Sequence, residues 1–508
     1  MKNLFLLGFL FIQPAFAFEV SPPTIDVSNF LSSFHIILSN VQDASFNSAV
    51  CVPYLKTLED EILQIDVRKI SPELFKQDAK NIADVSWRIR EALHRRLSDF
   101  DLNCTNQIQS NFRQFRFIED YILERITQVK DLYPEGKNFE KEELVPMKNA
   151  APYYVFNRRD QDQNLKNSVS FKPGDLMIAR GLSFLSAMIA RLGDRGTQFS
   201  HVVMLAQDGP VTRKVEKEPD VKFPFTQRTI ESYVGSGVGF YDIDYALKNE
   251  NSRLLWLRSK DQDLAARAAT YMGDRVTELS AHHDKIYYDY NLDFKNHDTM
   301  SCAEVAQVAY EVASNGAVHI PMYENNISGA SSLLSHIGLP AGKTFEPGDM
   351  EIDPRFELMG EFKDLRLTRD SRHKDVIMTK IFQWMNERHY QLHDSIKSKM
   401  AGGVIFDVRR TVLWPTVKKL LKLSDFSKEI PRKMIRTVEL LNELGTPLLE
   451  RLRAQDDAFK ARTGWSMTYQ ELYQAMEDFR AQDEALYQNR STRKQSKFHK
   501  VFRANIPS

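Results

Sequence analysis

Cys302 stands in "TMSCAEVAQVAYEVA", residues 299–313, and is one of 3 cysteines in 508 residues. Ser301 with Glu304 three residues later makes a capping box, and Val305, Ala306, Ala309 and Tyr310 recur behind it at helical spacing. The thiol therefore falls in the first turn of a helix. There, unpaired backbone N–H groups and the positive end of the macrodipole stabilise an anion. Thiols so placed drop from about 8.5 to roughly 3.5–7.5, and the thiolate is the nucleophile of acyl transfer. The competing role is a small buried hydrophobe at a helix start, since free cysteines are among the most buried residues.

A nucleophile of this kind needs a base. In "QFSHVVMLA", strand alternation puts Phe199, His201, Val203 and Leu205 on one face. An imidazole on an apolar face is more often a satisfied core histidine than a base, and His282, His283 and His297 are rivals in polar, loop-like surroundings. His201 gains weight because a strand holds a base more rigidly than a loop does. A third group should orient the imidazole through its other nitrogen. Glu231, in "RTIESYVGSGVGF" on the predicted next strand, lies among apolar residues, where a carboxylate needs a partner. The alternative for Glu231 is an exposed strand-end acid. Asp208 is less suited, because "QDG" reads as a hairpin turn.

The elements that position these residues follow from periodicity. Residues 18–150 read as helical, with "YPEGKNFEKEELVPMKNAAP" a linker at their end. From about 168 to 260, short apolar runs broken by glycines signal strands, and helical spacing returns at "QDLAARAATYMGDRV" and after Ser301. Beyond residue 356 the chain reads as helical, ending in "NRSTRKQSKFHKVFRANIPS", a frayed basic tail. The fold class expected is α+β: a module at 151–355 between a helical N-terminal domain, 18–150, and a basic helical C-terminal domain, 356–508.

The chain begins with Lys2, an apolar run from Leu4 to Ile12, Pro14 and the small-x-small triplet Ala15-Phe16-Ala17. That is the layout of a cleavable secretory signal, 1–17, cut after Ala17, which places the mature chain in the periplasm or outside the cell. No later segment approaches 18 consecutive apolar residues, so no transmembrane segment is expected. A hydrophobic content of 42% is enough for a sizeable core, and the formal net charge of +0 argues against a general nucleic-acid binder. Residues 361–508 nevertheless hold 29 Lys+Arg against 19 Asp+Glu. That surplus points to contact with an anionic surface or, equally, to a solvated helical face. In an oxidising compartment the simplest pairing of the cysteines is Cys51 with Cys104, leaving Cys302 free. The chain carries no CxxC, HExxH or Gly-rich phosphate loop, so neither a metal nor another cofactor is implied.

Taken together, "FKPGDLMIARG", "GTQFSHVVMLAQDG", "RTIESYVGSGVGFYDIDYAL" and "YYDYNLDFKNHDTMSCAEVAQVAYE" resemble the circularly permuted papain-like cysteine amidases of the NlpC-related superfamily, specifically the YiiX/YebB group. The likeness covers roughly residues 168–315 and rests on the order of its pieces: "PGD", "SHV", "IE" before "GVG", and "YDY" before "SCAEV". It implies Cys302 as nucleophile, His201 as base and Glu231 as orienter. The expected chemistry is amide cleavage through a thioester, with the Cys302 N–H and Tyr290, or after it Tyr288, as oxyanion donors. Gly174 and Asp175 are expected to shape the turn beside the site, with Asp175 either a substrate-binding residue there or purely structural. Peptidoglycan stem peptides or wall-linked peptides are the first substrate expected. Acyl chemistry on a lipid or lipoprotein follows, since the family extends to lipid-processing members, and a catalytically inert envelope-binding scaffold stands as a third reading. A thiol reagent applied to the non-reduced protein should label Cys302 alone; labelling of all three cysteines would remove the pairing.

Overall fold

The computed structural model describes residues 21–126, 153–157, 171–206 without 194, 228–248, 251–327 without 292, 293 and 295, 342–393 and 430–504. The expected signal at 1–17, the linker, Asp208 and the helical stretch 411–429 lie outside the described residues. Four helices come first: α1 (Phe30–Gln42), α2 (Ser48–Gln64), α3 (Pro72–Arg95) and α4 (Leu102–Ile126). Next are β1 (Tyr153–Asn157), β2 (Leu176–Gly181), α5 (Phe184–Ile189), β3 (His201–Leu205), β4 (Arg228–Tyr233), β5 (Gly237–Asp242) and α6 (Ile243–Lys248). Then follow β6 (Asn251–Ser259), α7 (Gln262–Ala281), α8 (Cys302–Ala313), β7 (Asn325–Ile327), β8 (Gly342–Thr344) and β9 (Phe356–Asp364). The remaining elements are α9 (Thr368–Arg388), β10 (Tyr390–Leu392), α10 (Arg432–Thr463), α11 (Tyr469–Gln488) and β11 (Phe502–Ala504).

The chain is an α+β protein. Its centre is an antiparallel sheet of 7 strands in the order β1-β9-β6-β2-β3-β4-β5. Strand β6 is buried at every position, as expected of a strand covered on both faces. Alternation assigns the two faces. Ala179 is opposite His201 on one side and Leu254 on the other, so those three share a face and Arg253 points to the other one. Helix α8 packs on β3 and β4 on the His201 side, with α7 beside it. On the Arg253 side lie α3 and α4, joined to the sheet by ion pairs.

That second interface is polar. Lys363 on β9 donates to Glu119 at 2.8 Å and to Asp120 at 2.7 Å, and Arg253, its register partner on β6, donates to Asp120 at 2.6 Å. Arg90 meets Glu119 at 2.9 Å and Glu361 at 2.6 Å, while Arg116 grips Glu351 with both nitrogens at 2.5 and 2.7 Å. All eight side chains are buried, and the four cations balance the four carboxylates. Burial pushes the Glu361 carboxyl up, but Arg90 and Lys363 outweigh it and hold the group well below the usual carboxylate range.

Three expectations change. The boundary at 355/356 fails, because β9 is an inner strand of the sheet between β1 and β6. Helices α1–α4 share one hydrophobic core with the sheet and α8, so the described helices of the expected N-terminal domain do not pack as a separate body. The basic tail is folded. Asp483 accepts from Ser496 Oγ and from the N–H groups of Lys497, Phe498 and His499, Phe498 and Phe502 are buried, and β11 pairs with β10. A second core joins α5 to α9, α10 and α11, so this C-terminal lobe reaches into the β2–β3 connection. Some of the positive surplus of residues 361–508 is met by acids from outside that region, as Arg372 pairs with Glu124 and Lys363 with Glu119. Cys51 on α2 and Cys104 on α4 form a disulfide, and Cys302 is free. Among the described residues, no helix is long and apolar enough to cross a membrane.

Removing one member of the buried network leaves uncompensated charge. Lys363→Met should lower the free energy of unfolding by about 3–5 kcal/mol in urea titration. A loss under about 1 kcal/mol would mean that the network does not hold the helices on the sheet.

Candidate active site

The site forms where β3, β4 and the start of α8 meet. The Met204↔Ile230 register between β3 and β4, continued along the strands, brings His201 opposite Tyr233 and places Glu231 on the same face, one step diagonal. His201 Nε2 lies 2.9 Å from Glu231 Oε2. Tyr233 donates its hydroxyl to the same oxygen at 2.6 Å, and Thr229 Oγ1 donates to Glu231 Oε1 at 2.6 Å. The carboxylate is fully buried, with three partners on one strand face fixing its orientation. The Tyr233 ring stacks on the imidazole at 4.8 Å between centroids and 26° between planes.

Cys302 reaches the same place from another direction. Glu304 accepts from the Ser301 N–H at 2.7 Å, closing the capping box, and Ser232 Oγ donates to the Met300 carbonyl at 2.6 Å, fixing the approach to α8 against β4. Cys302 is the first helical residue, and its thiol hydrogen-bonds the His201 side chain. Burial works against a charge on His201. The Coulomb field and hydrogen bond of Cys302, followed by those of Glu231, overcome it, and the imidazole is pushed up to about 10. The ring is thus an imidazolium at neutral pH.

Cys302 also lines a cavity open to solvent, of about 760 Å³ with its mouth included. Its walls are Leu185, Met188, Ile189 and Leu192 from α5 and beyond, Val234, Phe294, Phe345 and Pro347, and Met434 from α10. Polar groups in the lining are Tyr288, Asp289, Tyr290, Ser301, Thr344 and Glu346. Both tyrosines line the cavity. Tyr288 is held well above its usual value by burial and then by Cys302, so its hydroxyl lies within the field of the sulfur and remains a donor. The Tyr290 ring packs against the apolar start of α10.

Asp175 does not belong to the site. It accepts from Trp256 Nε1 at 2.9 Å, Arg258 Nη2 at 2.7 Å and the Lys172 N–H at 3.0 Å, which locks β2 to β6. The neighbouring Gly174 is in the left-handed region at φ +80, and a Cβ there would meet the Ala265 carbonyl oxygen at 2.2 Å, so the turn seats α7. Its carbonyl accepts from Tyr310 on α8 at 2.8 Å. The rival histidines lie elsewhere: His282 and His283 are exposed at the end of α7, and His297 holds Arg275 through its backbone. None of the three lines the cavity. Sequence reasoning missed Thr229 and Tyr233, which the i±2 alternation around Glu231 could have revealed. It also missed the cavity walls, which come from α5, residues 344–347 and α10 and carry no local signal.

No family model, curated protein or solved structure matches this chain. In an NMR titration of the imidazole, Glu231→Gln should bring His201 below about 10, and Cys302→Ala should lower it further, since sulfur contributes more than the carboxylate. An unmoved titration in both variants would sink the ion-pair description.

Proposed function

We propose that this chain is a cysteine acyl-transfer hydrolase with a permuted papain-like module, in which Cys302 is the nucleophile, His201 the acid–base and Glu231 the group that orients and charges the imidazole. The observation that carries this reading is the His201 ring bonded to Glu231 on one side and to the Cys302 thiol on the other. The chain order of strand histidine, strand carboxylate and helix-start cysteine supports the likeness to the YiiX/YebB group of NlpC-related amidases.

The sulfur of a thiolate–imidazolium pair attacks a carbonyl carbon, and the carbonyl π electrons move onto oxygen as the S–C bond forms. The donors proposed for that oxyanion are the Cys302 N–H at the head of α8 and the Tyr288 hydroxyl, which burial first, and the field of the sulfur next, keep protonated. As the adduct collapses, His201 gives its proton to the departing amine or alcohol, leaving a thioester. The neutral imidazole then takes a proton from water as the water oxygen adds to the thioester. Release of the acid returns the electron pair to sulfur.

The cavity narrows the substrate. Stem peptides carry carboxylates that need cations, whereas the lining contains no Lys or Arg among the described residues and is mostly aliphatic and aromatic. Of the expected readings, the one on lipid or lipoprotein acyl groups has this support, and the wall-peptide reading does not. The disulfide supports an oxidising compartment, in keeping with the proposed export.

Incubated with a neutral long-chain acyl ester and quenched in acid, the wild type should show one acyl adduct on Cys302 by intact mass and release the free acid. Cys302→Ala should form no adduct and lose about 10⁴-fold or more in rate. At saturating substrate, kcat should fall as pH rises through about 10, where His201 gives up its proton. Peptide release from sacculi by the wild type alone would restore the amide reading. Binding to sacculi without turnover in either form would leave an inert scaffold.

A further inference from the structure

One buried titratable group in the cavity has no part in this chemistry. Glu346 is 3% exposed and lines the cavity that holds Cys302. Its carboxyl accepts from the Gly193 N–H, from Thr197 Oγ1 at 3.3 Å and from Asn325 Nδ2 at 3.4 Å, while its own N–H donates to Asp349 Oδ2 at 2.8 Å. The surroundings are tight. A Cβ on Gly193 would come within 2.2 Å of Asn325 Nδ2, and one on Gly348 within 2.2 Å of Thr197 Cβ. Three segments, 193–197, 325 and 346–349, therefore close on this carboxyl and fix it in place.

The charges facing it are few. Asp349 lies on the same 3-10 turn, next to Glu346 and 3.6 Å from Arg195. Arg191, beyond α5, lies within range of Glu346, but its guanidinium is directed to Asp375 at 3.8 Å and to the Gly196 carbonyl at 3.0 Å. In the cavity itself the other titratable groups are Asp289, Tyr288, Tyr290 and Cys302, and the remaining walls are largely apolar. Burial first, and Asp349 next, push the Glu346 carboxyl up to about 8, against the Gly193, Thr197 and Arg191 contributions.

We propose that Glu346 is the specificity residue of this cavity: as a neutral carboxylic acid it admits an uncharged apolar acyl group to Cys302, and once ionised it excludes that group. This rests on the acyl-transfer reading above. The physical basis is desolvation. An apolar chain laid against the wall displaces the water an ionised carboxylate would need, whereas the protonated acid carries no charge and can give its proton to Thr197 Oγ1, whose own hydrogen can turn to the Phe199 carbonyl 3.5 Å away. Substrate and proton then bind to the cavity with positive coupling, each favouring the other. The protonated form is the one that binds, so KM is level below about 8 and rises above it, whereas kcat follows His201 and holds until about 10.

The test measures kcat and KM separately for the full chain with a neutral long-chain acyl ester, from about pH 6 to about 10. Wild-type KM should rise about tenfold per pH unit above the break near 8. Glu346→Gln, uncharged at every pH, should abolish the break. Asp349→Asn, which removes the second upward push, should move it to lower pH. A wild-type KM that stays flat through 8 while Cys302 is acylated overturns the proposal alone, as does a break that survives in Glu346→Gln. Should Glu346→Gln fail to fold, an unmoved break in Asp349→Asn overturns it. Absence of any acyl adduct on Cys302 overturns the acyl-transfer reading, and the proposal falls with it.

Discussion

A single imidazole, fixed at the first position of β3, bonds a carboxylate on β4 and a thiol at the head of α8. Each partner needs the others. A fully buried carboxylate without a cation would be costly, and a buried imidazolium without Cys302 and Glu231 beside it would lose its proton to desolvation. The Tyr233 ring stacks on the imidazole, and the hydroxyls of Tyr233 and Thr229 hold Glu231 in one orientation. The proton on His201 is therefore a property of the β3–β4–α8 junction rather than of the residue.

Keeping three elements in register demands a rigid support on the far side of the sheet. There, eight buried charged side chains join α3 and α4 to β6, β9 and the turn that follows residue 346. An apolar interface would offer comparable stability with looser geometry, since apolar contacts are not directional. Paired guanidinium and carboxylate groups permit few arrangements. That same turn carries both Glu351, held by Arg116, and Glu346, which lines the cavity that holds Cys302. The charge network and the cavity wall thus meet in one short segment.

The cavity shows what the flanking regions add to the central sheet and α8. Its walls come from α5, whose packing belongs to the C-terminal core, and from Met434 of α10. Gly445 on α10 approaches the Phe184 ring so closely that a Cβ would meet it at 2.5 Å. The C-terminal lobe therefore shapes the space in front of Cys302.

Local pattern was enough for several features. The capping box at Ser301 and Glu304 fixed Cys302 at a helix start because both hydrogen bonds lie within one turn of chain. Period-two alternation identified the strands of His201 and Glu231, and cysteine count alone suggested the pairing of Cys51 and Cys104. Where the argument needed contact between distant segments, sequence was silent or misleading. Asp175 reads like a site residue until Trp256 and Arg258 from β6 take its oxygens, and β9 reads as the edge of a helical region until β1 and β6 flank it. The tail looked loose because its charge is visible in sequence, whereas the Asp483 carboxylate that gathers its N–H groups is not. Sequence by itself determined the α+β class, the helix-start thiol and the two strands facing it, all of which depend on neighbours a few residues apart. Only the tertiary structure decided the protonation of His201, the burial of Glu346 and the apolar walls around Cys302, because desolvation and Coulomb fields depend on distance in space.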